Sequence, residues 1–165
     1  MTMPVPIASG MRLTPSRLNR PTSYSVRSTA SQTGVGTTET LSLTVPSVTF
    51  KAGWAYEVQI RGLVYGTAAA QALFRVRKTN VAGTDWGEFG RVRCESTSAG
   101  TSAMANGSIV LLRSATTDLT AAVALTIVAS SGTVNVFANA ASPRYVVVRP
   151  CGFASEYAGC GVEVN

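Results

Sequence analysis

The chain has 165 residues, no histidine, eight carboxylates and a formal net charge of +6. Without histidine, no Ser-His-Asp or Cys-His catalyst and no His-containing zinc site can be assembled. The carboxylates (Glu39, Glu57, Asp85, Glu88, Glu95, Asp118, Glu156, Glu163) form no cluster of the kind that holds Ca²⁺ or Mg²⁺, so a non-enzymatic protein without catalytic, cofactor or metal residues is expected.

The charge divides unevenly. Residues 1–38 carry four arginines and no acid, hence +4, whereas residues 39–165 carry ten basic and eight acidic side chains, hence +2. The basic excess therefore belongs to an arm, not to a folded face with interleaved aromatics, and no nucleic-acid partner is expected. Charged residues are only 13% of the chain, while Ser and Thr together number 37, so hydroxyls keep the exposed sheet faces wet. No window reaches the ~18–20 uninterrupted apolar residues of a spanning helix. The N-terminus, interrupted by Pro4, Pro6, Ser9, Gly10 and Arg12, has no signal-peptide core. Synthesis and folding in a cytoplasm, without membrane insertion, are expected.

Residues 1–38 read as an extended docking arm, with four prolines and the polar run Ser28 to Thr38. Within it Thr14 precedes Pro15 as a hydroxyl N-cap before a first-turn proline, which predicts one short helical turn reaching about Asn19. Leu13 and Leu18 would dock that turn onto a partner. From Glu39 the apolar period becomes two. Leu41, Leu43 and Val45 alternate with Ser and Thr, and Pro46 is expected to end that strand.

After the Lys51-Ala-Gly53 turn, Tyr56, Val58, Ile60, Gly62 and Val64 point one way while Glu57, Gln59, Arg61 and Leu63 point the other. Phe74 and Val76 oppose Arg75 and Arg77; Val92 and Cys94 oppose Arg91 and Arg93. A loop, 96–107, precedes Ser108 to Arg113. Leu119 to Ile127 alternate for nine residues, Thr133 to Phe137 follow a Ser130-Ser-Gly132 turn, and Tyr145 to Arg149 are stopped by Pro150 and Gly152. This spacing predicts an all-β, jelly-roll β-sandwich of about 8–10 strands over 39–152, preceded by the arm and followed by a tail, 153–165.

Candidate chemistry is sparse. The three cysteines are expected as free thiols, although Cys151 and Cys160, nine residues apart, can bridge in an oxidising medium. Trp54, Trp86, Phe89, Tyr65 and Tyr157 at strand ends or loops could form a sugar-stacking platform; alternatively Trp54 and Trp86 cap the two ends of the sandwich or pack between subunits. Arg75, Arg77, Arg91 and Arg93 on two consecutive strands suit inter-subunit ion pairs or a solvated face. Leu63, Leu73 and Val110 lie opposite core positions, and a second apolar sheet face calls for self-association. Leu63, Leu73, the four arginines and Trp86 are thus the candidate oligomer or surface contacts.

Ala8-Ser-Gly10-Met-Arg-Leu13-Thr14-Pro15-Ser-Arg-Leu18-Asn19 resembles the Gly-x-x-Leu-Thr-x-x-x-Leu-Asn opening of structural proteins of tailed phages, particularly those of actinobacteria. The body is similar to their small jelly-roll proteins, which resemble the C1q/TNF-like fold. The stretches that carry this are Ala52-Gly-Trp-Ala-Tyr56-Glu-Val, Phe74-Arg-Val-Arg-Lys-Thr-Asn80 with Gly83-Thr, Leu125-Thr-Ile, Ser131-Gly-Thr-Val, and Pro143-Arg-Tyr-Val-Val-Val-Arg149-Pro-x-Gly152. Cys151 replaces the usual acidic residue before the last glycine, and the Cys160 tail lies outside the pattern.

The resemblance implies a homotrimeric component of the virion surface, assembled in the bacterial host cytoplasm. Gly10, Leu13, Thr14, Pro15, Leu18 and Asn19 would dock it to the major capsid protein or to a tail protein. A capsid decoration protein that stabilises the shell is the first expectation, because no heptads supply a fibre stalk. A minor tail or fibre-tip protein reading host glycans is the alternative.

Overall fold

In a computed structural model the described residues are 21–165. They form eleven strands: β1 (Tyr24–Ser28), β2 (Gln32–Val35), β3 (Thr40–Phe50), β4 (Trp54–Gly66), β5 (Gln71–Lys78), β6 (Asp85–Arg93), β7 (Ala103–Arg113), β8 (Leu119–Ala129), β9 (Val134–Phe137), β10 (Arg144–Phe153) and β11 (Val162–Glu163). Two single 3₁₀ turns, Ala99–Thr101 and Ala154–Tyr157, complete the regular structure. The helical turn expected near Thr14 lies outside the described residues.

The strands build two facing sheets. The first runs β1-β10-β4-β7-β11, with β9 continuing β10 along the edge of β4 and β2 continuing β1 outside β9; the second runs β3-β8-β5-β6. If β1/β2 and β9/β10 are each counted as one interrupted strand and the two-residue β11 is set aside, eight strands remain. Their antiparallel pairs are first with last (β1·β10), second with seventh (β3·β8), third with sixth (β4·β7) and fourth with fifth (β5·β6). That is a long hairpin ribbon rolled on itself, a jelly roll. The rolled ribbon closes through β10·β4 and β5·β8.

Period two explains why these residues take these places. Tyr56, Val58, Ile60 and Val64 of β4 face inward and are buried, as are Phe74 and Val76 of β5 and Val123, Leu125 and Ile127 of β8. β-branched and aromatic side chains suit a half-buried pleat. At one end of the core an aromatic trio joins the layers. Phe50 of β3 meets the ring of Tyr56 edge-on at 5.0 Å and that of Trp86 at 5.7 Å. The Tyr56 hydroxyl donates to the Thr49 carbonyl (3.1 Å) and accepts from the Lys51 amide (2.8 Å). Burial pushes its ionisation up to about 12.

Several boundaries differ from the sequence reading. Residues 24–35, assigned there to the arm, contribute the edge strands β1 and β2. An edge strand needs only backbone hydrogen bonds and a few inward side chains, here Tyr24, Val26 and Val35. Pro46 does not stop β3. It falls at a register shift between Val45 and Val48, with Ser47 at φ 52°, so the missing N–H is absorbed by a bulge on an edge strand.

Pro150 is likewise crossed at a bulge, and β10 continues to Phe153. β7 begins at Ala103, which shortens the loop before it. The C-terminal stretch lies along the sheet, with β11 parallel to Leu111–Leu112 and Val164 fully buried.

Phe50→Ala would empty the centre of the aromatic trio. A destabilisation of about 3–5 kcal/mol is expected, the range for deleting a buried phenyl ring. A urea titration followed by tryptophan fluorescence measures it, because Trp86 reports on this contact.

Candidate interaction surfaces

The two outer faces of the sandwich are built differently. On the β3-β8-β5-β6 sheet, the outward positions of β5 and β6 place Arg75 opposite Glu88 and Arg77 opposite Asp85. Glu39, immediately before β3, reaches across β8 to join them. Arg77 donates to its two carboxylate oxygens from Nε at 2.6 Å and Nη2 at 2.7 Å, and the Thr126 hydroxyl donates to the same carboxylate.

Arg75 lies 3.5 Å from Glu39 and 3.8 Å from Glu88, Arg77 lies 3.4 Å from Asp85, and Arg91 pairs with Glu88. Three arginines thus meet three carboxylates, and the network is neutral. It covers the middle of the sheet so closely that Ala124 and Thr126 on the outward row of β8 are fully buried. Beside it Leu73 packs opposite Val128 and Arg91.

The Arg77 hydrogen bonds hold the Glu39 carboxyl below its ordinary 4.5, against the opposing effect of burial, and Glu39 raises Arg77 in return. The depressed carboxyl pKa makes this contribution to stability fully present above about pH 4.5. It is lost as pH falls through the folded-state value.

The outer face of the β1-β10-β4-β7 sheet is covered only at one end, where the Ala154–Tyr157 turn packs with Ala55, Leu112, Val110 and Cys151; the other end is open. Phe137 of β9, Leu63 of β4 and Met104 of β7 lie side by side in one cross-strand row, and Met104 is 54% exposed. The next row is Arg27, Tyr145, Arg61 and Asn106; the one after it is Ser25, Val147, Gln59 and Ser108. Further along, Arg149 pairs with Glu57 at 2.9 Å beside Val110. Outward Arg27, Arg61 and Arg149 face Glu57 on the strands and Glu156 on the turn packed over them, so this face is apolar at one end and mildly basic (three minus two, +1) along its length.

The structure sorts the sequence-derived candidates as follows. Leu63 lies at the open end of this face, Val110 packs beside the Ala154–Tyr157 turn at its covered end, and Leu73 lies on the other sheet, so the three do not form one patch. Arg75, Arg77 and Arg91 are engaged within the chain. Arg93 is exposed on edge strand β6, opposite Gln71.

Trp86 is not a surface contact. It is 1% exposed and packs in the core, because Gly87 at φ 124° takes the bulged β6 through a conformation that turns the indole inward. Gly10, Leu13, Thr14, Pro15, Leu18 and Asn19 lie outside the described residues. Met104, Phe137 and Tyr145 were not singled out from sequence; only the register of β4 against β7 and β9 joins them to Leu63.

The aromatics do not assemble into one sugar platform. Trp54 and Tyr65 sit eleven residues apart on β4, about 36 Å at strand rise, and Trp86 is buried. Trp54 instead stacks at 45° on Phe153, ring centres 5.0 Å apart, at one end of the sandwich. Cys94 is a buried thiol, and Cys151 and Cys160 are free. Burial raises the Cys151 thiol above its ordinary value. Among the described residues there is no group of three or more potential metal ligands and no helix long and apolar enough to cross a membrane.

No protein-family model matches the sequence, and no curated protein matches it. Among solved structures, the chain is similar to a structure of infectious bursal disease virus, Gx strain. The TM-score is 0.48 at 12% identity over 79% of this chain and 32% of that one. It is also similar to the VP2 subviral particle of the same virus, with a TM-score of 0.47 at 10% identity over 82% of this chain and 39% of that one. The chain thus spans about a third of the length of these proteins. The jelly-roll assignment rests on the strand pairing itself.

Glu39→Gln should lower stability at pH 7 by about 1–2 kcal/mol, a charge-assisted hydrogen-bond value discounted for partial exposure. It should also flatten the loss of stability that the parent chain shows as pH falls below about 4.5. Urea midpoints of the two proteins between pH 7 and pH 3 check both statements.

Proposed function

We propose that this chain is a non-enzymatic structural protein of a phage virion surface, a capsid decoration protein that assembles as a homo-oligomer, expected to be a trimer. The observation that carries this reading is the uncovered Phe137–Leu63–Met104 row. A sandwich with one sealed outer face and an open apolar row on the other has a surface suited to another protein. The arm motif, Gly10 to Asn19, supports the same reading through its resemblance to phage structural proteins.

In this mechanism the arm docks to the major capsid protein and the jelly-roll body faces outward. Binding the assembled lattice alone shifts the equilibrium toward the shell by mass action. A minor tail protein contacting the host surface is the second reading. It is favoured by Phe153, exposed and resting on the half-buried Trp54, since an aromatic face at the end of a sandwich suits a sugar ring.

Quantitative mass spectrometry of purified particles separates the two. Decoration predicts a copy number comparable to that of the major capsid protein; a handful of copies places the protein on the tail, and absence from the particle overturns both. Deleting residues 1–22 leaves β1 and the sheets intact and is expected to abolish attachment with the circular dichroism of the body unchanged. Attachment of the truncated chain would contradict the docking arm.

A further inference from the structure

Arg144 is the one charged side chain buried among the described residues; the residue is only 9% exposed. It opens β10 on the core side, opposite Gly62 of β4, where the absence of a Cβ makes room: one built there would approach Val136 Cγ1 to 3.3 Å and Arg144 Cβ to 3.7 Å. Both hydrogens of Nη1 are used, donating to Gln32 Oε1 at 2.7 Å and Ser42 Oγ at 2.9 Å. Gln32 is itself fixed, its amide nitrogen donating to the Leu41 carbonyl at 3.0 Å. The guanidinium is therefore held from one end by neutral partners.

Its other edge is different. Nε is buried and has no hydrogen-bond partner. Nε–H and the adjacent Nη2–H form the side-on fork with which arginine grips an anion. A cavity of about 10 Å³ lies against this residue, lined also by Leu43, Ile60, Gly62, Ala105 and Val136. None of the lining residues is acidic, and burial without any opposing carboxylate lowers the Arg144 pKa. A water in this space would satisfy one N–H but leave the buried positive charge uncompensated, and an uncompensated buried charge is the costlier of the two. The space admits a single small particle, which excludes sulfate or phosphate and leaves a monatomic anion.

We propose that Arg144 holds a small monovalent anion of the chloride class between the two sheets, bound at the Nε/Nη2 edge. The anion supplies the counter-charge that the fold omits and locks the β2–β3 corner, through Gln32 and Ser42, onto β10.

The test compares thermal unfolding of the full chain in sodium chloride, bromide and gluconate at equal ionic strength, alongside Arg144→Met and Arg144→Lys. The parent protein is expected to melt about 2–4 °C higher in the halides than in gluconate, as for a site near saturation at about 0.1 M salt. Arg144→Met, with no charge to compensate, loses this difference, and Arg144→Lys, with charge but no fork, reduces it.

Anomalous diffraction from crystals grown in bromide is expected to show one site beside Arg144 Nε, and it serves if Arg144→Met fails to fold. Three results would overturn the proposal: equal melting in all three salts, a halide effect that survives in Arg144→Met, or a water with no bromide signal at Nε.

Discussion

A two-layer β-sandwich buries one face of each sheet and leaves the other to its surroundings, and this constraint organises the whole molecule. The β3-β8-β5-β6 sheet meets it internally. Glu39 lies across β8 and gathers Arg77, Arg75 and Thr126 beneath it, so an outward row that would otherwise expose Ala124 and Thr126 is sealed by a neutral ion network. Nothing comparable covers the Phe137–Leu63–Met104 row of the opposite sheet. The proposed role in assembly follows from that asymmetry.

Inside, the two ends of the sandwich are held by different physics. At one end Phe50, Tyr56 and Trp86 meet edge-to-face across the layers, and the Tyr56 hydroxyl ties the β3–β4 corner through backbone partners. At the other end small residues, Gly62 and Ala105, thin the core, and Arg144 enters the space they leave. Dispersion and burial stabilise the first end. The second depends on how the guanidinium's free edge is satisfied.

Much of the architecture was legible in the sequence, because period-two alternation in β4, β5 and β8 marks half-buried strands whatever they pair with. The same alternation is silent about which sheet a strand joins, and for that reason Leu63 and Leu73 looked alike yet lie on opposite outer faces. Trp86, at a strand end, was open to closing the sandwich or meeting a partner, and only its packing with Phe50 distinguishes the two. The polar stretch from Ser28 to Thr38 looked like linker because edge strands draw on backbone pairing more than on apolar content. The pairing of Arg77 with Glu39 joins residues 38 positions apart, and only the register brings them together.

Sedimentation velocity of the full chain beside Met104→Glu tests the central claim, that the apolar outer face of the β1-β10-β4-β7 sheet is where copies of this chain meet. Met104 is exposed enough for a carboxylate to be tolerated in a single folded chain. The account predicts that the parent protein sediments as an oligomer, and that Met104→Glu sediments as a folded monomer with unchanged β-sheet circular dichroism. A parent chain that remains monomeric at high concentration, or an oligomer indifferent to the substitution, would contradict it.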